Sequence, residues 1–221
     1  NEAYQMLKAN LSYLCSEEPK AIVVTSSVPQ EGKSTVSANL ALAMAQSERR
    51  VLLVDADMRQ PVQHKIWELL NNVGLSDVLV GQAELTTTIK AVMPNLHVLT
   101  AGVIPPNPMN LLESKRMASL IENFANQYDF VIVDTPSLSI AADAPILSKM
   151  VDGILLVSRP GVVDSASATT AKEFLQQTGQ NVLGLVINAT NIENKHFSSY
   201  YANEYSPVEN AKNRVIEVAS S

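Results

Sequence analysis

A single cysteine, Cys15, stands among 221 residues. One thiol forms no internal disulfide and supplies no four-cysteine metal site. It falls in a helical pattern, where a free cysteine acts as a packing residue, and a reducing compartment suits it. Long hydrophobic runs are missing too. No stretch of 18 apolar residues occurs, so no segment reads as a membrane span by itself. No signal peptide opens the chain. It starts at Asn1 rather than Met, as expected of a piece cut from a longer protein. Positive charge is scarce: 16 Lys and Arg face 22 Asp and Glu, a net charge of −6. Nothing then offsets phosphate repulsion, which argues against a general nucleic-acid binder.

What remains is largely apolar. Hydrophobic residues make up 46% of the chain, which fits one sizeable α/β domain rather than two independent ones. Met6, Leu7, Leu11 and Leu14 predict a helix over residues 2–16. Short apolar runs predict buried strands at 21–25, 51–54, 96–99, 130–133, 154–157 and 182–187. Helical spacing separates them, around Val36 to Met44 and over 110–126, 145–150 and 166–177. Strand–helix alternation with continuously apolar strands predicts a mostly parallel sheet with helices on both faces, a three-layer α/β domain. Residues 103–110, rich in proline, read as a stiff connection. The domain is expected over 1–188, and the polar stretch 189–221 reads as a tail.

Three motifs carry chemistry. Ser27-Val28-Pro29-Gln30-Glu31-Gly32-Lys33-Ser34-Thr35 lies between a strand and a helix, the setting a phosphate-binding loop requires. Gln30 to Thr35 would line the phosphates with backbone N–H groups at the helix start. Gly32 permits close approach, Lys33 reaches the β- and γ-phosphates, and the Ser34 hydroxyl faces Mg²⁺. Asp55 and Asp57 follow the second apolar strand, and Asp134 follows the fourth. Ligands of open parallel sheets sit at the carboxyl ends of the strands, so these carboxylates and Lys33 are expected at one edge. A lone Asp after a strand caps a helix or forms a turn; three beside one loop point to a hard cation. Ser34, Asp55 and Asp134 are the expected metal ligands. Asn188 ends the last apolar strand and either reads adenine or forms a turn. An Asn-Lys-x-Asp guanine reader is not completed at Asn194-Lys195-His196-Phe197, which favours ATP.

The order of these motifs resembles the bacterial tyrosine kinases, the cytoplasmic domains of polysaccharide co-polymerases. The resemblance covers nearly the whole chain. It rests on Pro29 to Ser34, where Gln30 stands in place of the usual glycine. It rests also on Leu52-Leu53-Val54-Asp55-Ala56-Asp57-Met58-Arg59 and on Ile132-Val133-Asp134-Thr135-Pro136. The double-Asp motif is the discriminating one. The resemblance implies ATP-dependent autophosphorylation of a C-terminal tyrosine cluster, here Tyr200, Tyr201 and Tyr205, passed between neighbouring subunits. It implies catalytic roles for Lys33, Asp55, Asp57 and Arg59, with Asp55 favoured as base. It also implies self-assembly through an N-terminal Glu-x-x-Arg-x-x-Arg helix, matched by Glu2, Gln5 and Lys8 with only the Glu identical. Lysine does not replace a bidentate arginine, so weak or conditional assembly is expected. Implied partners are a second copy, a membrane-embedded co-polymerase segment (fused or separate) and a tyrosine phosphatase. The implied location is the cytoplasmic side of the plasma membrane, and the implied role is control of exopolysaccharide synthesis or export. The alternative is a switch ATPase similar to the chromosome-partitioning and division-site-positioning proteins, which recruits a partner without phosphorylating tyrosine. Those proteins carry an early loop lysine where this chain has Val28.

Overall fold

The computed structural model describes residues 2–14 and 19–189, together with the backbone of 215–218. Eight strands form one sheet: β1 (Ala21–Ser26), β2 (Val51–Asp55), β3 (Lys90–Met93), β4 (Leu96–Leu99), β5 (Phe130–Asp134), β6 (Gly153–Ser158), β7 (Val182–Asn188) and β8 (Val215–Val218). Their order across the sheet is β3-β4-β2-β5-β1-β6-β7-β8. Every pairing is parallel except β3 with β4. The expected α/β architecture is therefore the observed one.

Alternation along the central strands sends successive side chains to opposite faces. Ile22, Val24, Val51, Leu53, Phe130 and Ile132 enter one core beneath α1 (Glu2–Leu14) and α2 (Lys33–Ala45). Ala21, Val23, Leu52, Val54, Val131 and Val133 enter the other. That core also takes Met117, Ile121 and Phe124 of α7 (Lys115–Gln127), Leu147 of α8 (Asp143–Ser148) and Leu175 of α9 (Ser165–Gln177). Both faces are covered, which is why these strands read as unbroken apolar runs.

Elsewhere the structure differs in detail. The expected helix over 110–126 is two helices, α6 (Pro108–Leu112) and α7. Ser114 separates them: its Oγ accepts the Met117 N–H at 3.1 Å and starts a new helix. Proline opens α6, so the stiff connection ends inside a helix rather than before it. Three short helices, α3 (Gln63–Ile66), α4 (Leu75–Leu79) and α5 (Leu85–Thr88), fill a region where the sequence pattern predicts none. Strand β3 is largely exposed and so lacks the apolar run that marks the others. Strand β8 lies within the span expected to be a tail and pairs with β7 at the sheet edge.

The carboxyl ends of β1, β2 and β5 are stitched together beyond the strands. Thr25 Oγ1 donates to the Pro136 carbonyl at 2.8 Å and Thr135 Oγ1 to the Val24 carbonyl at 2.9 Å. The Ala56 N–H donates to the Asp134 carbonyl at 2.8 Å. These bonds fix the edge on which the motif residues stand.

Candidate nucleotide site

The loop between β1 and α2 is held by its own side chains. Glu31 is buried, and its carboxylate accepts the Val28 N–H at 2.8 Å and the Arg159 N–H at 3.0 Å. It therefore faces the backbone of the loop and of the segment after β6, not the phosphate position. Gln30 and Gly32 are both left-handed, with φ of 68° and 86°. That conformation favours glycine, which accounts for a glycine being usual at the Gln30 position. Asn188 Nδ2 donates to the Glu31 carbonyl at 2.9 Å and lies where a Cβ on residue 32 would stand. Gly32 is thus required twice, by its φ and by Asn188. In this arrangement Asn188 braces the loop. Thr35 is exposed on the first turn of α2.

Lys33, Asp55, Asp57 and Asp134 meet at the sheet edge, as their strand-end positions predict. Lys33 Nζ lies 3.1 Å from Asp57 Oδ2 and 3.3 Å from Ser34 Oγ. Burial alone would lower the Lys33 pKa, but Asp134, Asp57 and Asp55 outweigh it and hold the ammonium above its usual value. Asp55 is fully buried; its oxygens accept the N–H groups of Asp57, Val62 and Gln63 at 3.0–3.2 Å. Those three bonds shape the 57–63 loop. Burial, then the charge of Asp134, pushes the Asp55 carboxyl well above the ordinary range. Asp57 Oδ1 accepts from the Arg59 and Gln60 N–H groups.

Arg59 pairs with Asp143. Its Nε and one terminal nitrogen each lie 3.3 Å from the two oxygens of the buried Asp143 at the start of α8.

Asp134 is fully buried, and burial pushes its pKa up against the opposing influence of Lys33, Ser34 and Gln63. Its Oδ2 accepts from Gln63 Nε2 at 2.8 Å. Its Oδ1 is buried with no hydrogen-bond partner among the described residues. A bare buried carboxylate oxygen is costly. Hydrated Mg²⁺ beside the Ser34 hydroxyl would satisfy it. No group of three or more acidic, His or Cys side chains among the described residues forms a metal cage. Mg²⁺ ordinarily uses one or two carboxylates with substrate phosphates and water, so the residues present fit that ion in company with a nucleotide.

Other expected residues lie apart. Glu2, Gln5 and Lys8 sit on α1, and Lys8 Nζ donates to Ser47 Oγ at 2.5 Å. Tyr200, Tyr201 and Tyr205 lie outside the described residues. No described helix is long and apolar enough to cross a membrane.

A phosphate loop at β1, Lys33 beside strand-end aspartates and a mostly parallel sheet define a P-loop NTPase. The chain matches the ParA family profile, described as NUBPL iron-transfer P-loop NTPase, over residues 18–212. It is 38% identical to tyrosine-protein kinase YwqD of Bacillus subtilis (strain 168), across 91% of this chain and 86% of that protein. It resembles the kinase domain of Escherichia coli tyrosine kinase ETK with a TM-score of 0.80 and 35% identity, covering 84% of this chain and 74% of that one. It also resembles the septum site-determining protein MinD of Pyrococcus horikoshii OT3 complexed with Mg-ADP. That likeness has a TM-score of 0.65 and 25% identity over 78% of this chain and 71% of that one. The chain belongs to the bacterial tyrosine-protein kinases, within the ParA-type P-loop NTPases.

Proposed function

We propose that the protein transfers the γ-phosphoryl group of MgATP to tyrosine hydroxyls, with Tyr200, Tyr201 and Tyr205 as acceptors. The observation that carries this reading is the buried convergence of Lys33 with Asp55, Asp57 and Asp134 in a chain of this family. The tyrosine oxygen attacks the γ-phosphorus, the bond to the β–γ bridging oxygen breaks, and ADP leaves. Lys33 releases Asp57 and pairs with the phosphates. Mg²⁺, when bound, would neutralise charge on the transferring group. The phenol proton passes late to a carboxylate, because a tyrosine near pKa ~10 yields nothing to an ordinary aspartate near ~3.9 in the ground state. Asp55 suits the base role: its raised proton affinity narrows that gap. A carboxylate has about four acceptor positions, so three N–H donors orient Asp55 and leave acceptor capacity. Asp57 steers Lys33, and Ser34 and Asp134 face the metal. Asn188 braces the loop through the Glu31 carbonyl, and reading of the adenine base is the further role proposed for it.

Further features of this reading follow the family. Transfer runs between neighbouring copies that assemble weakly through Glu2, Gln5 and Lys8. Each phosphate adds roughly −1.5 to −2 charge, and the phosphorylated segment is repelled from the acidic site, loosening the assembly. A membrane-embedded co-polymerase segment activates the kinase at the cytoplasmic face, a phosphatase resets it, and exopolysaccharide synthesis or export is the regulated process.

The test is incubation of the purified chain with MgATP, followed by phosphotyrosine detection. Wild type should label. Lys33→Met and the triple Tyr200→Phe, Tyr201→Phe, Tyr205→Phe variant should not. Mg²⁺-dependent ATP turnover with no phosphotyrosine would favour the switch ATPase, the reading to which the likeness to MinD lends support.

A further inference from the structure

Gln63 belongs to none of the motifs, yet it is fully buried at the centre of the site. It opens α3, and its backbone N–H is one of the three that hold Asp55. Its side-chain amide works in two directions. Nε2 donates to the Ser34 carbonyl at 3.0 Å and to Asp134 Oδ2 at 2.8 Å. These two acceptors fix the amide orientation, since the reverse setting would turn Oε1 against two oxygens. Oε1 is then left buried without a partner among the described residues. Asp134 Oδ1 is in the same condition. Two bare acceptors thus occur in one hydrogen-bonded pair of side chains. Each such acceptor costs free energy unless a donor arrives.

A water on a divalent cation has two protons to give, and the cation makes both more acidic. We propose that Gln63 is an outer-sphere positioning residue for Mg²⁺, with its Oε1 and Asp134 Oδ1 receiving the protons of metal-bound water. Nε2 meanwhile holds Ser34 and Asp134 in place. This assignment rests on the Mg-nucleotide part of the proposed function and deepens it. It needs no tyrosine transfer. Outer-sphere partners of metal ligands orient the ligands and tune affinity, and their loss typically weakens metal binding by about 10–100-fold.

Loss of the amide and its conservative replacement give opposite expectations. Gln63→Met removes both the donor and the acceptor. Gln63→Glu keeps an acceptor at Oε1, and its second oxygen, buried against the Ser34 carbonyl and Asp134, carries a proton and donates in place of Nε2. Binding of a fluorescent N-methylanthraniloyl-ADP would be measured in EDTA and during Mg²⁺ titration, with circular dichroism as the folding control. For Gln63→Met, the Mg²⁺ midpoint should rise roughly tenfold or more, a larger change than any the variant shows in EDTA. For Gln63→Glu, the midpoint should stay at or below wild type, because the acceptor and the clamping donor both remain. A midpoint raised in both variants would overturn the assignment. An unchanged midpoint in Gln63→Met would overturn it as well. If Gln63→Met does not fold, the Glu variant decides: a raised midpoint sinks the proposal, and one at or below wild type supports it. A wild-type protein whose nucleotide binding ignores Mg²⁺ would remove the nucleotide reading and this assignment together. Absent phosphotyrosine with intact Mg²⁺ dependence would remove only the kinase reading.

Discussion

At the scale of single residues, the site stores an electrostatic conflict. Asp134 is buried with Asp55 beside it in the paired strands, and burial pushes its pKa up. A carboxyl whose folded pKa exceeds its unfolded value binds more protons in the native state. It therefore subtracts stability as pH rises from the unfolded value of about 3.9 through the folded one. Asp134→Asn removes that charge and keeps an oxygen for Gln63. The nucleotide-free variant should melt higher than wild type at pH 7 by roughly 2–4 °C, the size that 1 kcal/mol brings in a domain of this length. The gap should close toward pH 4, and Mg²⁺ should no longer add to nucleotide affinity. Differential scanning fluorimetry across pH checks this, and a lower melting point at pH 7 would contradict it. The aspartates of this site were legible because Asp55 and Asp134 end apolar strands and Asp57 follows two residues after Asp55. Gln63 was not: it bonds to Asp134 across 71 positions of chain, and only folding shows that a polar residue there is buried. Asp143, which meets Arg59 across 84 positions, was hidden for the same reason. Glu31 was legible as a loop residue, but its direction depends on Arg159.

At the scale of elements, periodicity found what burial dictates and missed what it does not. The central strands are buried end to end, so their apolar runs stood out. Edge strand β3 is mostly exposed and carries no such run. The division of the 110–126 helix lay in one hydroxyl, since Ser114 both ends the turn with its Oγ donating to Leu111 and caps α7. Ser114→Ala should cost about 1 kcal/mol, the usual loss for an N-cap. Thermal unfolding should show it, with Mg-nucleotide affinity unchanged because α7 packs away from the loop on the opposite face.

At the scale of the whole molecule, both termini described converge on one flank. Strand β8 closes the edge beside β7, and α1 packs against β8 and α2. A chain ending at Ala189 should still bind Mg-nucleotide, because Lys33, Ser34, Asp55, Asp57, Gln63, Asp134 and Asn188 all precede that point. It should melt lower than the full chain and associate with rising concentration, since an uncovered β7 edge presents unpaired backbone groups to other molecules. Sedimentation velocity across a concentration series reads this directly. The parallel sense of β7 and β8 also sets a geometric limit on phosphoryl transfer. In sequence Tyr201 falls between Asn188 and Val215, and both of those residues are paired in the sheet. Twelve fully extended residues span roughly 40–43 Å, so in the proposed transfer the Lys33 that serves Tyr201 lies within that distance of Ala189 plus the reach of the two side chains.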